Sequence, residues 1–588
     1  MSVSIVTITQ IARFNCLQVL REMIEEQTYS NILEWIIVEG SQTEEHAKLN
    51  KLNIEQLKTQ TKINIKYVEY DGNTVLGRLR NKSNDACSGE YIVCMDDDDY
   101  YPKERIEHAV TTLKTSKNLI AGCSGCMFYD YILDKQFKSD TLNPNHSTNN
   151  CFAYKKEYLK NHRYDDTKTF AEESSFTNTF KEPMCQLNPK KTIVVSSHSL
   201  NTFNKRKLLI DGMLGRGALK EMESTIPKKY YKIYRSLFRH EGKCPYDIVY
   251  MCGFHSIVWD PRDQKLGGSE QAVVNLSTEW VKKGYKVAVY GAIPMVTHEG
   301  VDYYPFEMFP FHHEFNVIIL WRLFGLYPVY KLKINAKKIF WDLHDNMLNV
   351  QGVKDLYDKY ESKFNAIMFK SQYHIEEFEK LVGSKLDTKI VRNIMNGVRI
   401  ERFGNTGNFI RNKYRFCYCS CYTRGLEVIL KHVWPVIYQN EPRAELHVYY
   451  GLGSVPDQNW KNMMLGLLAS PGVMDHGRQD VEMINREKHL SSFHLYLSSS
   501  PSEIDCISVR ESLVAGCIPI LSNFGVFKNR HGFHFDMATD KDVLTVGNKI
   551  LDLLKMDDDT LENRRNMLMK SNTIISWENA ADQWIKDF

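Results

Sequence analysis

The sequence predicts an α/β protein, and three observations carry that prediction. Short apolar runs alternate with amphipathic helical stretches along most of the chain, as in parallel sheets covered on both faces. Several runs close on glycine, serine or acidic residues, which sets polar side chains at the carboxyl ends of strands, where open α/β sheets take their ligands. The 588 residues are 43% apolar and 25% charged, a balance that supports a large core and excludes general disorder. At this length roughly three or four domain-sized units are expected.

Composition also narrows the partners. A formal charge of +3 leaves no footprint for nucleic acid or an anionic membrane. Fourteen cysteines are scattered, several of them in apolar runs, which fits buried thiols in a reducing compartment. Cys123-x2-Cys126 and Cys417-x-Cys419-x-Cys421 lack the second pair of a zinc finger or ribbon, so core thiols are expected there. The chain opens on a strand without a basic leader. Its most apolar stretch, Val317–Tyr330, is broken by Arg322 and is too short to span a bilayer. No integral membrane segment and a cytoplasmic location are therefore expected. The Lys-, Asn- and Ile-rich style suits a viral or microbial source.

Taken in order, Val3–Thr9 reads as a strand and Leu17–Glu26 as a helix with Leu17, Val19, Leu20 and Ile24 toward the core. Trp35–Val38 is a strand closed by Glu39-Gly40-Ser41, Ile63–Tyr70 another, and Gly77–Cys87 a helix carrying Arg80 and Asn81. Glu90–Met95 is a buried strand that runs into Asp96-Asp97-Asp98-Asp99-Tyr100-Tyr101-Pro102, and Pro102 suits the first turn of a helix at Lys103–Lys114. This first unit spans 1–203. Residues 204–243 read as a basic connector with helical pieces at Leu219–Met222 and Lys229–Phe238, its charged face solvated.

A second unit, 244–395, carries strands at Asp247–Cys252, Tyr285–Tyr290, Val317–Leu320, Lys338–Trp341, Ala366–Lys370 and Lys389–Val391. In it Gly267-Gly268-Ser269-Glu270 opens a helix with Ala272, Val273, Leu276 and Trp280 on one stripe. Paired glycines there let a diphosphate or sugar approach the helix amides, although taken alone they are better explained by a plain turn. A third unit, 396–588, carries strands at Glu445–Tyr450 and Leu495–Ser498, then Glu503-x7-Glu511, a helix end at Ala515-Gly516, and a strand into Asn523-Phe524-Gly525.

Four adjacent carboxylates repel one another, and a hard divalent cation with oxygen ligands would relieve that repulsion. The alternative is a solvated acidic turn, which the buried strand before it and the aromatics and proline after it disfavour.

Val6-Thr7-Ile8-Thr9, Ile36 to Ser41, Gly77-x-x-Arg80-Asn81, and Gly89-Glu90-Tyr91-Ile92 leading into the acid cluster resemble the family 2 glycosyltransferases of GT-A fold over residues 1–203. The resemblance implies a nucleotide-diphospho-sugar transferase with a Rossmann-like core. Its Asp-x-Asp signature falls on Asp96 and Asp98, with Asp99 adjacent. It implies a divalent metal, Mn²⁺ or Mg²⁺, on Asp96, Asp98, Asp99 and His198, and a donor held by Thr7, Glu39, Arg80 and Asp96. Glu39 stands where the family usually has Asp. Phe170-Ala171-Glu172-Glu173 resembles the family's Glu-Asp pair, which implies Glu172 and Glu173 at the catalytic centre with Glu173 as general base and inversion at the sugar. His198, before Asn201-Thr202, also fits a satisfied structural histidine.

Residues 245–588 resemble the family 4 glycosyltransferases of GT-B fold, a pair of Rossmann-like halves. The resemblance rests on Glu503-x7-Glu511 with Gly516 and Pro519, and on Gly267-Gly268, His344, Asn396-Gly397-Val398 and Arg424-Gly425 in the family's order. It implies a metal-independent, retaining module with His344 and Glu503 at the reacting sugar. Gly267, Gly268, Arg424, Glu511 and Gly525 would bind the donor. The segment Cys419–Thr423 departs from the family by lacking its first basic residue. Ser576–Ala581 resembles the helix that crosses back onto the first half.

The expectation is a bifunctional enzyme that moves sugars from nucleotide-sugar donors to a glycan, glycoprotein or glycolipid acceptor. One rival is a single active GT-A module with a non-catalytic partner that binds glycan or nucleotide-sugar. The other is a nucleotidyltransferase, against which stands the absence of a glycine-rich phosphate loop with lysine near the start of the chain.

Overall fold

The computed structural model describes residues 1–588 except 142, 202, 214, 216, 254–257, 323–333, 347–351, 405–408, 454–456 and 538; of Leu356 it describes the backbone alone. Thr202 and part of Val317–Tyr330 thus lie outside the described residues. Among those described, no helix is long and apolar enough to cross a membrane. The chain divides into two compact units, Met1–Gly242 with Pro310–His313, and Lys243–Phe309 with Glu314–Phe588.

In the N-terminal unit a seven-stranded sheet runs, edge to edge, Ile65–Val68, Ile32–Glu39, Val3–Thr9, Tyr91–Cys94, Ala153–Lys155, Ile120–Gly122 and Met184–Gln186. Its first four strands are parallel. All seven residues of Val3–Thr9 are buried, and alternation sorts them: Val3 and Ile5 join the core with Trp35 and Ile37, Val6 and Ile8 the opposite core with Ile36 and Val38. The first strand lies between the second and the fourth, so the sheet reverses direction of winding there. Ligands gather at such a point, and there Cys94 runs into the acid cluster.

A second sheet, in the order Val194–Ser197, Met127–Asp130, Lys135–Ser139, Leu219–Met222, was not expected from the sequence. Leu219–Met222 is a strand rather than the expected helical piece, antiparallel to Lys135–Ser139. Four residues are too few for periodicity to decide between the two, and the sheet edge decides instead. The stretch read as a connector folds into this unit. Helix Lys228–Phe238 buries Tyr230, Tyr234 and Phe238, spaced one turn apart, in the main core.

The C-terminal unit holds two sheets. One runs Val296–His298, Val301–Pro305, Val287–Gly291, Ile248–Met251, Glu314–Trp321, Asn335–Asp342, Ala366–Phe369, Val391–Asn393, parallel except for its first pair. The other runs Val473–Asp475, Glu445–Tyr449, Asn412–Cys419, Ser491–Tyr496, Ile518–Ser522, Phe533–Phe535, all parallel. Each is Rossmann-like, its earliest strand lying inside with later strands on both sides. The last helix, Trp577–Ile585, returns to the first sheet's layer as expected. Trp577, Ala580, Ala581 and Trp584 join its core, and Asp587 accepts from the Arg392 guanidinium at 2.7–3.0 Å. All fourteen cysteines are free thiols, eleven of them buried.

Candidate functional site

Every carboxylate of the acid cluster is partnered, and Asp97 and Asp98 share Arg13. Asp96 accepts from Arg80 through both oxygens at 2.7 and 3.1 Å, and Arg80 Nε reaches Glu172 at 3.3 Å. Asp97 accepts from the Thr9 hydroxyl at 2.8 Å and pairs with Arg13 at 3.1 Å. Asp98 Oδ2 accepts from Arg13 at 2.9 Å and from Asn201 Nδ2 at 3.2 Å, with His198 Nε2 also at 3.2 Å. Asp99 accepts from Asn150 Nδ2 at 2.7 Å and the Ser196 amide at 2.8 Å.

Burial and these partners separate the acids electrostatically. Burial pushes Asp97 up to about 7 against the pull of Arg13, and pushes Asp99 well above the carboxylate range. Burial also opposes ionisation of Asp98, but Arg13 and His198 overcome it and hold that carboxyl well below the range. The repulsion that suggested a cation is thus answered by arginine.

As the side chains stand, they do not fit a divalent metal. Among the described residues no three His, Cys, Asp or Glu side chains are grouped to hold one. Both Asp96 oxygens face Arg80, and Asp98 Oδ2 already takes several donors. His198 Nδ1 accepts from the Leu200 amide at 3.2 Å, and burial lowers its pKa. The ring hydrogen therefore sits on Nε2, toward Asp98, where a metal would need a lone pair. Asp99, only 2% exposed, is enclosed by Asn150 and Ser196.

Two expected donor contacts are also absorbed by the fold. The Thr7 hydroxyl donates to the Met95 carbonyl and accepts from Trp35 Nε1, buried between strands. Glu39 is buried and accepts from the Ser41 amide, Asn50 and Tyr67 at 2.6–2.8 Å. Arg80, Asp96 and Glu172 do come together. Beside them Glu173 opens a short helix, Glu173–Phe176. Burial, then the charge of Glu172, push Glu173 up to about 7. Arg13 and Asp97 were not expected at the site, nor was the packing of the expected helix, observed at Lys228–Phe238, against it: its Tyr234 hydroxyl donates to the Asp99 carbonyl and its Phe238 ring stacks on His198 at 3.8 Å. An arginine just past the first strand was the available signal for Arg13.

In the C-terminal unit a cavity of about 220 Å³ is lined by Gly267, Gly268, His344, Arg424, Glu503 and neighbours. Gly268 begins helix Gly268–Lys282, so its free amides face the cavity. Cys419 and Ser420 line it where the basic residue is lacking. Arg424 donates to Glu503 Oε2 at 2.7 Å, and the Tyr496 hydroxyl and Cys506 amide complete that carboxylate's shell at 3.0 and 3.1 Å. Glu511 and Gly525 do not line the cavity. Glu511 accepts from the buried Lys488 ammonium, and Gly525 lies against the Tyr373 ring, 3.3 Å from where a Cβ would sit. In both cases a neighbour from a distant segment occupies the space that the sequence motif left open.

Residues 9–175 match the model of Glycosyl transferase family 2. No curated protein matches the chain. Solved structures similar to it include Anabaena HepE in complex with UDP and glucose, at 11% identity and TM-score 0.42. A glycosyltransferase from Rickettsia africae and the sucrose-phosphate synthase of Thermosynechococcus elongatus each show 13% identity and TM-score 0.45. All three comparisons cover 58% of this chain and 98% of the other. With its acid cluster at the winding reversal among parallel strands, the N-terminal unit holds the stretch, residues 9–175, that matches the Glycosyl transferase family 2 model, and the C-terminal unit pairs two Rossmann-like sheets.

Proposed function

We propose that the chain is a bifunctional glycosyltransferase, with one nucleotide-sugar site in each unit. The observation that carries this reading is that both units place polar chemistry at a winding reversal of a parallel sheet: the Arg80–Asp96–Glu172–Glu173 group in the first, the cavity with Arg424, Glu503 and His344 in the second.

In the first unit Glu173 is the general base. It takes the proton of the acceptor hydroxyl as that oxygen attacks the anomeric carbon. The bond to the diphosphate breaks, the leaving group keeps the electron pair, and the configuration inverts. A base that titrates at about 7 suits proton transfer at neutral pH. Arg80 holds Glu172 and Asp96 in place beside it. No step is assigned to a divalent cation here, because the donor set is already engaged.

In the second unit the helix amides at Gly267–Gly268 and the Arg424 guanidinium favour a diphosphate without metal. A second reading has its own support. Glu503 neutralises Arg424, and Cys419 stands near it in place of a base, which suits a module that binds a sugar or nucleotide-sugar without turning it over.

Purified full-length protein incubated with a panel of nucleotide-sugars, with nucleoside diphosphate release measured and product anomers read by NMR, tests the proposal. It expects two separable donor activities, the first inverting and the second retaining. A single activity that is lost entirely with Glu173→Gln would leave the second unit as a binding module.

A further inference from the structure

Beside the cavity of the C-terminal unit lies a polar cluster that no step above uses. Asp342 ends the strand Asn335–Asp342 and is fully buried. It accepts from the Tyr250 hydroxyl, the Lys370 ammonium and, at 2.8 Å, His344 Nε2. Lys370 is itself only 1% exposed. Two buried charges carry a large desolvation cost, and apolar side chains of similar volume would serve stability as well. The member of the cluster that lines the cavity is His344.

The protonation states follow from the surroundings. Burial would raise Asp342, but the hydrogen bond from His344 and the charge and hydrogen bond of Lys370 hold it well below the carboxylate range, so it only accepts hydrogen bonds. Burial lowers His344, so its ring is neutral at neutral pH. The one ring hydrogen then sits on Nε2, toward Asp342. Nδ1 has no hydrogen-bond partner among the described residues and keeps its lone pair.

We propose that Asp342 is a positioning residue that locks His344 in its Nε2–H tautomer, so that Nδ1 accepts a hydrogen bond from a hydroxyl of the bound sugar and disfavours a phosphate or carboxylate at that point. A lone pair needs a donor: a sugar hydroxyl supplies one, and an anionic oxygen does not. Tyr250 and Lys370 keep Asp342 ionised and fixed. The proposal rests on reading the cavity as a nucleotide-sugar site with His344 at the sugar, and it adds the residue that fixes the tautomer of that ring.

The test is nitrogen NMR of the full chain labelled with ¹⁵N-histidine, the His344 signals being those lost in His344→Asn. Around neutral pH the wild-type ring is expected to show Nδ1 without hydrogen. Asp342→Asn can donate to Nε2 and should move the hydrogen to Nδ1. Adding UDP-glucose or GDP-mannose should shift Nδ1, whereas UDP or GDP alone should not. Donor turnover by this unit should fall about ten- to a hundredfold in kcat/KM in Asp342→Asn, with UDP affinity unchanged. Should the single variant fail to fold with Lys370 left unpaired, Asp342→Asn/Lys370→Met removes both charges and carries the same expectation. A wild-type His344 bearing hydrogen on Nδ1, or a tautomer unmoved by Asp342→Asn, overturns the proposal. If no nucleotide or nucleotide-sugar moves any His344 signal, the nucleotide-sugar reading fails, and the hydroxyl contact with it, while the tautomer measurements still decide the role of Asp342.

Discussion

Glu172 and Glu173 are neighbours in sequence with different surroundings. Glu172 is 4% exposed and bonded to Arg80, whereas Glu173 is only partly buried and titrates at about 7. Its raised pKa means that the basic form is gained as pH rises. The rate of the first activity should therefore climb about tenfold per pH unit below about 7 and level off above it. Glu173→Gln should flatten this profile and lower the rate roughly 10²-fold or more. A steep profile retained in Glu173→Gln would move the base elsewhere. Arg13 is the second residue on which the site depends, since it answers the charges of Asp97 and Asp98 together. Arg13→Met leaves two buried carboxylates without it and should cost about 3–5 kcal/mol in chemical denaturation. It should also free those oxygens for a cation. Titration calorimetry should then show Mn²⁺ binding to Arg13→Met and none to the wild type; Mn²⁺ binding to the wild type that Asp98→Asn abolishes would restore the metal site that the sequence suggested.

Elements position these residues through where strands end. Arg424 and the cavity depend on Gly425, which follows the strand Asn412–Cys419. Its φ is +100°, and a Cβ there would stand 2.0 Å from the Leu497 carbonyl. Gly425→Ala should therefore destabilise the unit by more than about 1 kcal/mol and disturb Arg424. An unchanged melting temperature would contradict that close approach. The parallel strands, their acidic ends and the returning Trp577–Ile585 helix are legible in the sequence because periodicity and end chemistry are local signals. The second sheet of the N-terminal unit is not. Its strands are short, and Leu219–Met222 finds its partner at Lys135–Ser139, far away in the chain. The site divides in the same way. Asp96, Arg80, Glu172 and Glu173 come together as the motif suggests, as do His344, Arg424 and Glu503. The motif could not show that Thr7 and Glu39 face inward, that Lys488 covers Glu511, or that Arg13 answers the acid cluster, because each depends on a partner from another segment.

At the scale of the whole molecule, two units each set polar side chains at a winding reversal of parallel strands, with different electrostatics. The first surrounds its acids with Arg13 and Arg80, and the second sets helix amides and Arg424 around a cavity. Sites on separate units share no side chain, so substitutions in one should add to substitutions in the other. The measurement that tests the central claim most directly is the number of nucleotide sites per chain, by calorimetric titration of the full-length protein with UDP and GDP and their sugar conjugates. Two sites are expected in the wild type: one that survives Arg80→Met and is weakened by Arg424→Ala, and one that behaves in the opposite way. One site per chain, lost with Arg80→Met and indifferent to Arg424→Ala, would contradict it.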